Sequence, residues 1–171
     1  MNNLKYKVLV LGIGNLLMSD DGLGVYAAQM LKQEEWPQEV SILEVGTSVL
    51  NYIDEISRSC YVIVIDAVRG GERPGSIYCH RDDKIMQYVL DRQDAHGFSV
   101  LQAVELAREL TGYPFKLIIY GMEPIYLNYG EDLSPVVKKA LPMLVHQVIK
   151  EIKSNICGVR PGTTTWTVRD Q

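Results

Sequence analysis

Residues 8–25, VLVLGIGNLLMSDDGLGV, contain the pattern that decides the fold. Residues 8–11 are a short apolar run, which is typical of a buried parallel strand. Gly12 and Gly14 then allow a tight bend, and apolar residues with helical spacing begin near Leu23. A strand, a glycine bend and a helix in this order predict the opening unit of an α/β fold.

Two acidic residues, Asp20 and Asp21, stand where this helix should begin. Either acid could simply cap the helix, because helix N-termini favour acidic side chains. In an open α/β sheet, however, ligands bind at the carboxyl ends of the strands. Two adjacent acids at the end of a first strand therefore also indicate a binding or catalytic site.

Length and composition favour one globular domain. The chain has 171 residues, of which 47% are hydrophobic, and a net charge of −4 with acids and bases interspersed. A basic surface for nucleic acid or anionic lipid is therefore not expected. The longest apolar runs are far shorter than the roughly 18 residues of a membrane span, and the first residues lead into a strand rather than a signal peptide. We expect a cytoplasmic monomer that binds neither nucleic acid nor membranes.

The three cysteines, Cys60, Cys79 and Cys157, are odd in number, widely spaced and without a C-x-x-C pair. This spacing argues against a disulfide framework or a zinc ribbon. A free cysteine commonly behaves as a small apolar side chain, so we expect three buried free thiols.

The apolar pattern predicts the order βαβαββαβα, with residues 1–153 forming a single domain. The predicted strands are 8–11, 40–45, 61–65, 76–80 and 117–120, and the predicted helices are 21–33, 49–57, 99–111 and 135–153. The fourth strand should be antiparallel at an edge, because no helix precedes it. Residues 82–93 fit either a short helix or an ordered loop. Residues 154–171 lack periodicity and are expected to form a loose tail.

Right-handed crossovers place the second and third strands on opposite sides of the first. The expected fold class is therefore α/β: a three-layer, doubly wound sheet of about five strands, mostly parallel with one antiparallel edge strand, and with helices on both faces. The first and third strands are then neighbours, which brings Asp20, Asp21 and Asp66 to one crevice. The loop before the helix at 99–111 opens on the same edge and carries His96.

Two carboxylates and an imidazole from three separate loops can bind a divalent metal. Oxygen ligands with one nitrogen suit nickel, zinc, manganese or iron(II). Such a site keeps positions open for water or substrate. The residues alone leave plainer interpretations open, since Asp66 could cap a strand end and His96, beside a glycine, could be a turn residue.

Other chemistries fit the sequence less well. Gly12 and Gly14 match part of the dinucleotide motif, but its third glycine would fall at Leu17. The chain also lacks the P-loop, the serine-hydrolase elbow and the H-E-x-x-H pattern. A flavodoxin-like module that binds a flavin or nucleotide at the same switch point is the alternative from another class, although two carboxylates would repel a phosphate.

Residues 12–24, GIGNLLMSDDGLG, resemble the opening motif of the hydrogenase maturation endopeptidases, which process the large subunit of nickel–iron hydrogenases. Further matches to this family follow in the same order, within residues 7–153. These matches are Gly46-Thr47, Ile65-Asp66-Ala67, Pro74-Gly75, His96, Gly121-x-x-Pro124 and Leu133-Ser134-Pro135.

The resemblance implies an endopeptidase that removes a short C-terminal peptide from a hydrogenase large-subunit precursor after nickel insertion. It implies that the substrate's nickel is the recognition element and that Asp21, Asp66 and His96 are the metal ligands and the catalytic residues. Another divalent metal could occupy the site in the isolated protein. Asp20 is then expected to be a local cap or turn residue, and Gly22 and Gly24 to leave room for the substrate chain.

Two routes to cleavage are open from the sequence. Nickel could polarise the scissile carbonyl or activate a bound water, or a carboxylate could act as general base in an aspartic-type mechanism. A hydrogenase assembly factor of the same fold, which would bind the precursor without cutting it, is a further alternative.

Overall fold

The computed structural model describes residues 4–82, 84–85 and 95–157, with only the backbone for residues 95–97. Its main elements are β1 (Tyr6–Ile13), α1 (Leu23–Leu31), β2 (Val40–Gly46), α2 (Ile53–Ser57), β3 (Ser59–Ala67), β4 (Ile77–Arg81), α3 (Ala95–Thr111), β5 (Lys116–Met122) and α4 (Pro135–Cys157). Two 3-10 turns, Ser19–Gly22 and Val49–Tyr52, lead directly into α1 and α2. The predicted helices at 21–33 and 49–57 are therefore each a 3-10 turn followed by a shorter α-helix.

The five strands form one sheet in the order β2-β1-β3-β5-β4. β1 pairs in parallel with β2 and with β3, and β3 pairs in parallel with β5. At the edge, β4 pairs antiparallel with β5, which confirms the prediction drawn from the short connection after β3. The predicted fold class, a doubly wound and mostly parallel sheet, is confirmed.

Alternate residues of the central strands face two different apolar layers. Val8 and Val10 of β1 pack with α1 and α4, whereas Leu9 and Leu11 pack with α2 and α3. The buried helical residues of the first layer are Leu23, Ala27, Leu31, Val137, Leu141, Leu144, Val145, Val148 and Ile152. The helical spacing of apolar residues predicts these positions except Val145, whereas Met30, also predicted, is only partly buried.

The expectation of three buried thiols is wrong for two of the cysteines. All three cysteines are free, but Cys79 and Cys157 are exposed and Cys60 is half-buried. Cys79 lies on the edge strand β4, and Cys157 is the last residue of α4. Both positions have fewer neighbours than the interior of the sheet, so an apolar character alone does not bury them.

The last helix extends beyond the predicted end at residue 153. It continues to Cys157 because Ile156 packs on the apolar layer and the Asn155 side chain donates to the Glu151 carbonyl oxygen at 2.8 Å. Residues 158–171 of the predicted tail, and residues 83 and 86–93, lie outside the described residues. Although α4 has 23 residues, no helix in the described ranges is long and apolar enough to cross a membrane.

An ion pair ties the edge strand β4 to α4. The Arg81 guanidinium donates to both carboxylate oxygens of Glu151, at 3.0 and 2.6 Å, and the Tyr120 hydroxyl donates to the same carboxylate at 3.0 Å. The Glu151 side chain is only 12% exposed. The hydrogen bonds from Arg81 are the largest cause that lowers the pKa of the Glu151 carboxyl to about 2, against the opposing effect of burial.

We predict that Glu151 stabilises the fold at neutral pH and that this contribution is lost in acid. The pKa of Glu151 is lower in the folded protein than its ordinary value of 4.5, so the unfolded chain takes up the proton first as the pH falls from 4.5 towards about 2. Glu151→Gln should lower the free energy of unfolding at pH 7 by about 2 kcal/mol. It should also weaken the loss of stability between pH 4.5 and about 2. Urea unfolding over this pH range measures both effects, and the same pH dependence in both proteins would contradict the prediction.

Candidate functional site

The start of α1 lies directly on the carboxyl ends of β1 and β3. A Cβ atom added to Gly24 would lie 2.1 Å from the carbonyl oxygen of Ile65 and 2.3 Å from that of Ile13. No side chain tolerates such contacts with backbone, so only glycine lets the helix come this close to the sheet. The 3-10 turn that carries Asp21 therefore contacts β3, near the strand end that carries Asp66.

The expectation that Gly22 and Gly24 leave room for a substrate chain is wrong. The space beside Gly24 is filled by the backbone of β1 and β3. A Cβ atom on Gly22 would meet Leu16 Cα at 3.1 Å and the Asn15 carbonyl oxygen at 3.3 Å. Both glycines therefore serve the close packing of the protein's own chain.

We predict that Gly24→Ala destabilises the protein by about 3 kcal/mol, because the added methyl group would meet two carbonyl groups that move only if the strands move. Gly22→Ala is the matched control, since its nearest contact is 3.1 Å rather than 2.1 Å. Its loss of stability should be clearly smaller. Denaturant unfolding of both variants measures the difference, and equal losses would argue against the packing described for Gly24.

Asp21 is partly exposed in the 3-10 turn at the crevice. Its Oδ2 accepts a hydrogen bond from the Asn15 amide at 2.8 Å. Its Oδ1 accepts none from the part of the chain that the structure describes. One oxygen of this carboxylate is therefore available to a metal ion or to a water molecule.

Asp66 is buried near the end of β3, where only 3% of its surface is exposed. It lies opposite Gly121 in the parallel register with β5, and its Oδ1 accepts the Ala67 amide at 2.8 Å. Burying a carboxylate costs free energy, which an ordinary turn residue on the surface avoids. The depth of Asp66 argues against an ordinary turn residue on the surface, and its role as a ligand stays a prediction.

His96 lies in the first turn of α3, whereas the sequence predicted a loop before the helix. α3 begins at Ala95, which is earlier than the predicted start at residue 99. The side chain of His96 is outside the described part of the structure, so its place beside the two aspartates stays a prediction. Among the described side chains, no group of three or more His, Cys, Asp or Glu residues could hold a metal ion.

Asp20 is fully buried and anchors a distant loop. Its Oδ2 accepts the amides of Ile125 and Tyr126 at 2.8 and 3.1 Å. Ser134 donates its amide to Oδ1 at 2.7 Å and its hydroxyl to Oδ2 at 2.9 Å. Asp20 lies in the 3-10 turn, as the second of its two expected roles requires, but this turn has no side-chain cap, so the expectation of a local capping role is wrong. Asp20 instead fastens residues 125–134 to the turn before α1.

A second buried carboxylate, Glu123, holds the loop that follows β3. Its Oε2 accepts the Gly70 amide at 2.6 Å, the Glu72 amide at 3.3 Å and the Tyr78 hydroxyl. Burial, and then the hydrogen bond to Glu123, raise the pKa of Tyr78 to about 12. Sequence reasoning missed this anchor, although an acid placed shortly after the last predicted strand could have indicated it.

Most backbone amides between the end of β1 and α1 are already occupied and so are not available to a phosphate. Helix-start phosphate sites need several unoccupied amides. Here, hydrogen bonds within the protein occupy the amides of Gly14, Asn15, Leu17, Met18, Ser19, Asp20 and Asp21. This arrangement disfavours the flavin- or nucleotide-binding alternative and leaves carboxylates as the reactive groups of the crevice.

Known proteins are similar to this chain in both sequence and fold. The chain is 30% identical over 148 residues to the hydrogenase expression/formation protein HupD of Thiocapsa roseopersicina, an alignment that covers 84% of this chain and 66% of that protein. It is 25% identical over 151 residues to the hydrogenase 2 maturation protease of Escherichia coli, with 87% and 92% covered. The solved structure of the E. coli hydrogenase maturating endopeptidase HybD superimposes with a TM-score of 0.80 at 25% identity, with 86% and 93% covered.

The fold is that of a doubly wound α/β protein in which the turn before α1 meets β3 at the switch point of the sheet. Residues 25–151 match the family model described as hydrogenase maturation protease, and this range includes Asp66 and His96. The chain belongs to the hydrogenase maturation protease family.

Proposed function

We propose that this protein is an endopeptidase that removes a short C-terminal peptide from the large-subunit precursor of a nickel–iron hydrogenase after nickel has been inserted. The observation that carries the proposal is the contact between the 3-10 turn that carries Asp21 and the strand that carries Asp66, in a chain of this family. The names of the relatives, a maturation protease and an endopeptidase, support the reaction class. A monomeric, cytoplasmic enzyme that binds neither nucleic acid nor membranes stays a prediction of the sequence.

The proposed role of nickel is that of a group carried by the substrate. Two carboxylates and one imidazole are donors that a divalent nickel ion accepts. Asp21 retains an oxygen without a hydrogen-bond partner among the described residues, which suits a ligand that must meet an incoming metal. In this proposal Asp21, Asp66 and His96 complete the coordination of the precursor's nickel, so a precursor without nickel is not recognised. Another divalent ion could take the same ligands in the isolated protein.

The proposed cleavage step assigns different tasks to the two aspartates. Asp21 Oδ1 has no competing hydrogen bond from the described chain, so it can bind the substrate's nickel in a metal-assisted route or accept a proton from the attacking water in an aspartic-type route, but it cannot do both at once. Asp66 is buried and already accepts the Ala67 amide, which suits a fixed ligand better than a mobile base. Nickel held by the precursor would supply positive charge beside the scissile carbonyl oxygen.

Substitution of the proposed ligands tests this function. Asp21→Asn, Asp66→Asn and His96→Ala should each lower the rate of cleavage by about 100-fold or more, because each variant removes a base or a metal ligand. The measurement is incubation with a nickel-loaded precursor, with the loss of the C-terminal peptide followed by mass spectrometry.

Asp54→Asn is the matched control, because it makes the same chemical change at an exposed side chain of α2. It should cleave at the wild-type rate. Wild-type rates in Asp66→Asn or His96→Ala would overturn the assignment of the site. A wild-type protein that binds the nickel-loaded precursor but leaves its C-terminus intact would instead identify a non-catalytic assembly factor.

A further inference from the structure

Two exposed tyrosines lie on the loop that Asp20 anchors. Tyr126 is 54% exposed and Tyr129 is 75% exposed, and Leu17, in the neighbouring turn after β1, is 52% exposed. We call these three residues the tyrosine surface. Large apolar side chains exposed on adjoining segments are candidates for contact with another molecule.

The two segments of the tyrosine surface are joined through their backbones. The Gly130 amide donates to the Leu17 carbonyl oxygen at 2.9 Å, and the Ser19 amide donates to the Gly130 carbonyl oxygen at 2.7 Å. A Cβ atom on Gly130 would lie 2.3 Å from Ser19 Oγ, so the two segments pack closely. The loop therefore has one defined position relative to the turn before α1.

Asp20 is the side chain that maintains this position. Its carboxylate accepts four hydrogen bonds from the loop, and its amide donates to the Tyr126 carbonyl oxygen at 3.1 Å. Asp21, the next residue, is tied to the same turn, since its amide donates to the Met18 carbonyl oxygen at 3.2 Å. The loop is thus held at a fixed place relative to the proposed base.

We propose that Asp20 is a positioning residue, which holds the tyrosine surface beside Asp21 so that it receives the extended segment of the precursor next to the scissile bond. This inference rests on the proposed function. We infer the precursor as the molecule that binds the tyrosine surface because this surface adjoins the turn that carries Asp21. When a peptide bond of the precursor lies at Asp21, the residues on either side of that bond extend towards Leu17 and the loop. The backbone of this loop is anchored, whereas its two tyrosine side chains stay outside.

Removal of the exposed side chains tests the docking role without disturbing the core. Leu17→Ala, Tyr126→Ala and Tyr129→Ala should raise KM for the nickel-loaded precursor, with about a 10-fold increase in the triple variant and kcat within about 2-fold of wild type. Phe115→Ala is the matched control, because it is 60% exposed and directly precedes β5, at the end of the strand away from the crevice. Its KM should equal that of wild type.

Asp20→Asn tests the positioning role. The amide group of asparagine cannot accept hydrogen bonds at both ends, so some loop donors lose their partner. We expect a rise in KM similar to that of the triple variant, and combining the two changes should raise KM by less than the product of the separate effects. A purely structural role would lower the fraction of active protein, and hence the apparent kcat, without a change in KM.

Ser134→Ala supports this test if Asp20→Asn does not fold, because it removes only the hydroxyl contact. It should raise KM by about 3-fold. An unchanged KM in the triple variant would overturn the docking surface. An unchanged KM in Asp20→Asn would overturn the role of Asp20. If Asp20→Asn does not fold, an unchanged KM in Ser134→Ala would overturn that role instead. A wild-type protein that does not cleave the nickel-loaded precursor would overturn the proposed function itself, and this proposal with it.

Discussion

The close approach of α1 to the ends of β1 and β3 is the constraint on which the site depends. Gly24 lies so near the carbonyl groups of Ile13 and Ile65 that no larger residue fits. Because β1 and β3 are parallel neighbours, their carboxyl ends share one crevice with the turn before the helix. Backbone packing therefore places the turn that carries Asp21 against β3, the strand that carries Asp66 near its end.

Most of the fold could be predicted because its signals are local in the sequence. Helical spacing marked Leu23 and Val148 as buried, and both are fully buried on the same side of the sheet. The short connection after β3 predicted the antiparallel edge strand, since a parallel return needs a longer crossover. The exposure of Cys79 and Cys157 could not be predicted in this way, because it depends on an edge strand and on a helix end.

The residues that anchor the site were beyond prediction, because their contacts are distant in sequence. Asp20 and Ser134 are 114 positions apart, and Glu123 and Gly70 are 53 positions apart. Most of the partners are backbone amides, which every residue except proline carries, so no residue type marks them. The pairing of β1 with β3 could be predicted from strand order, because right-handed crossovers make the first and third strands neighbours.

In the proposed function, the carboxylates of this crevice recognise the nickel that the substrate holds. A direct comparison uses one hydrogenase large-subunit precursor in its nickel-loaded and nickel-free forms. Each form is incubated with the wild-type protein, and its mass is then measured by mass spectrometry. If nickel is the recognition element, only the nickel-loaded form should lose its C-terminal peptide. Equal cleavage of the nickel-free precursor would contradict this role of the metal.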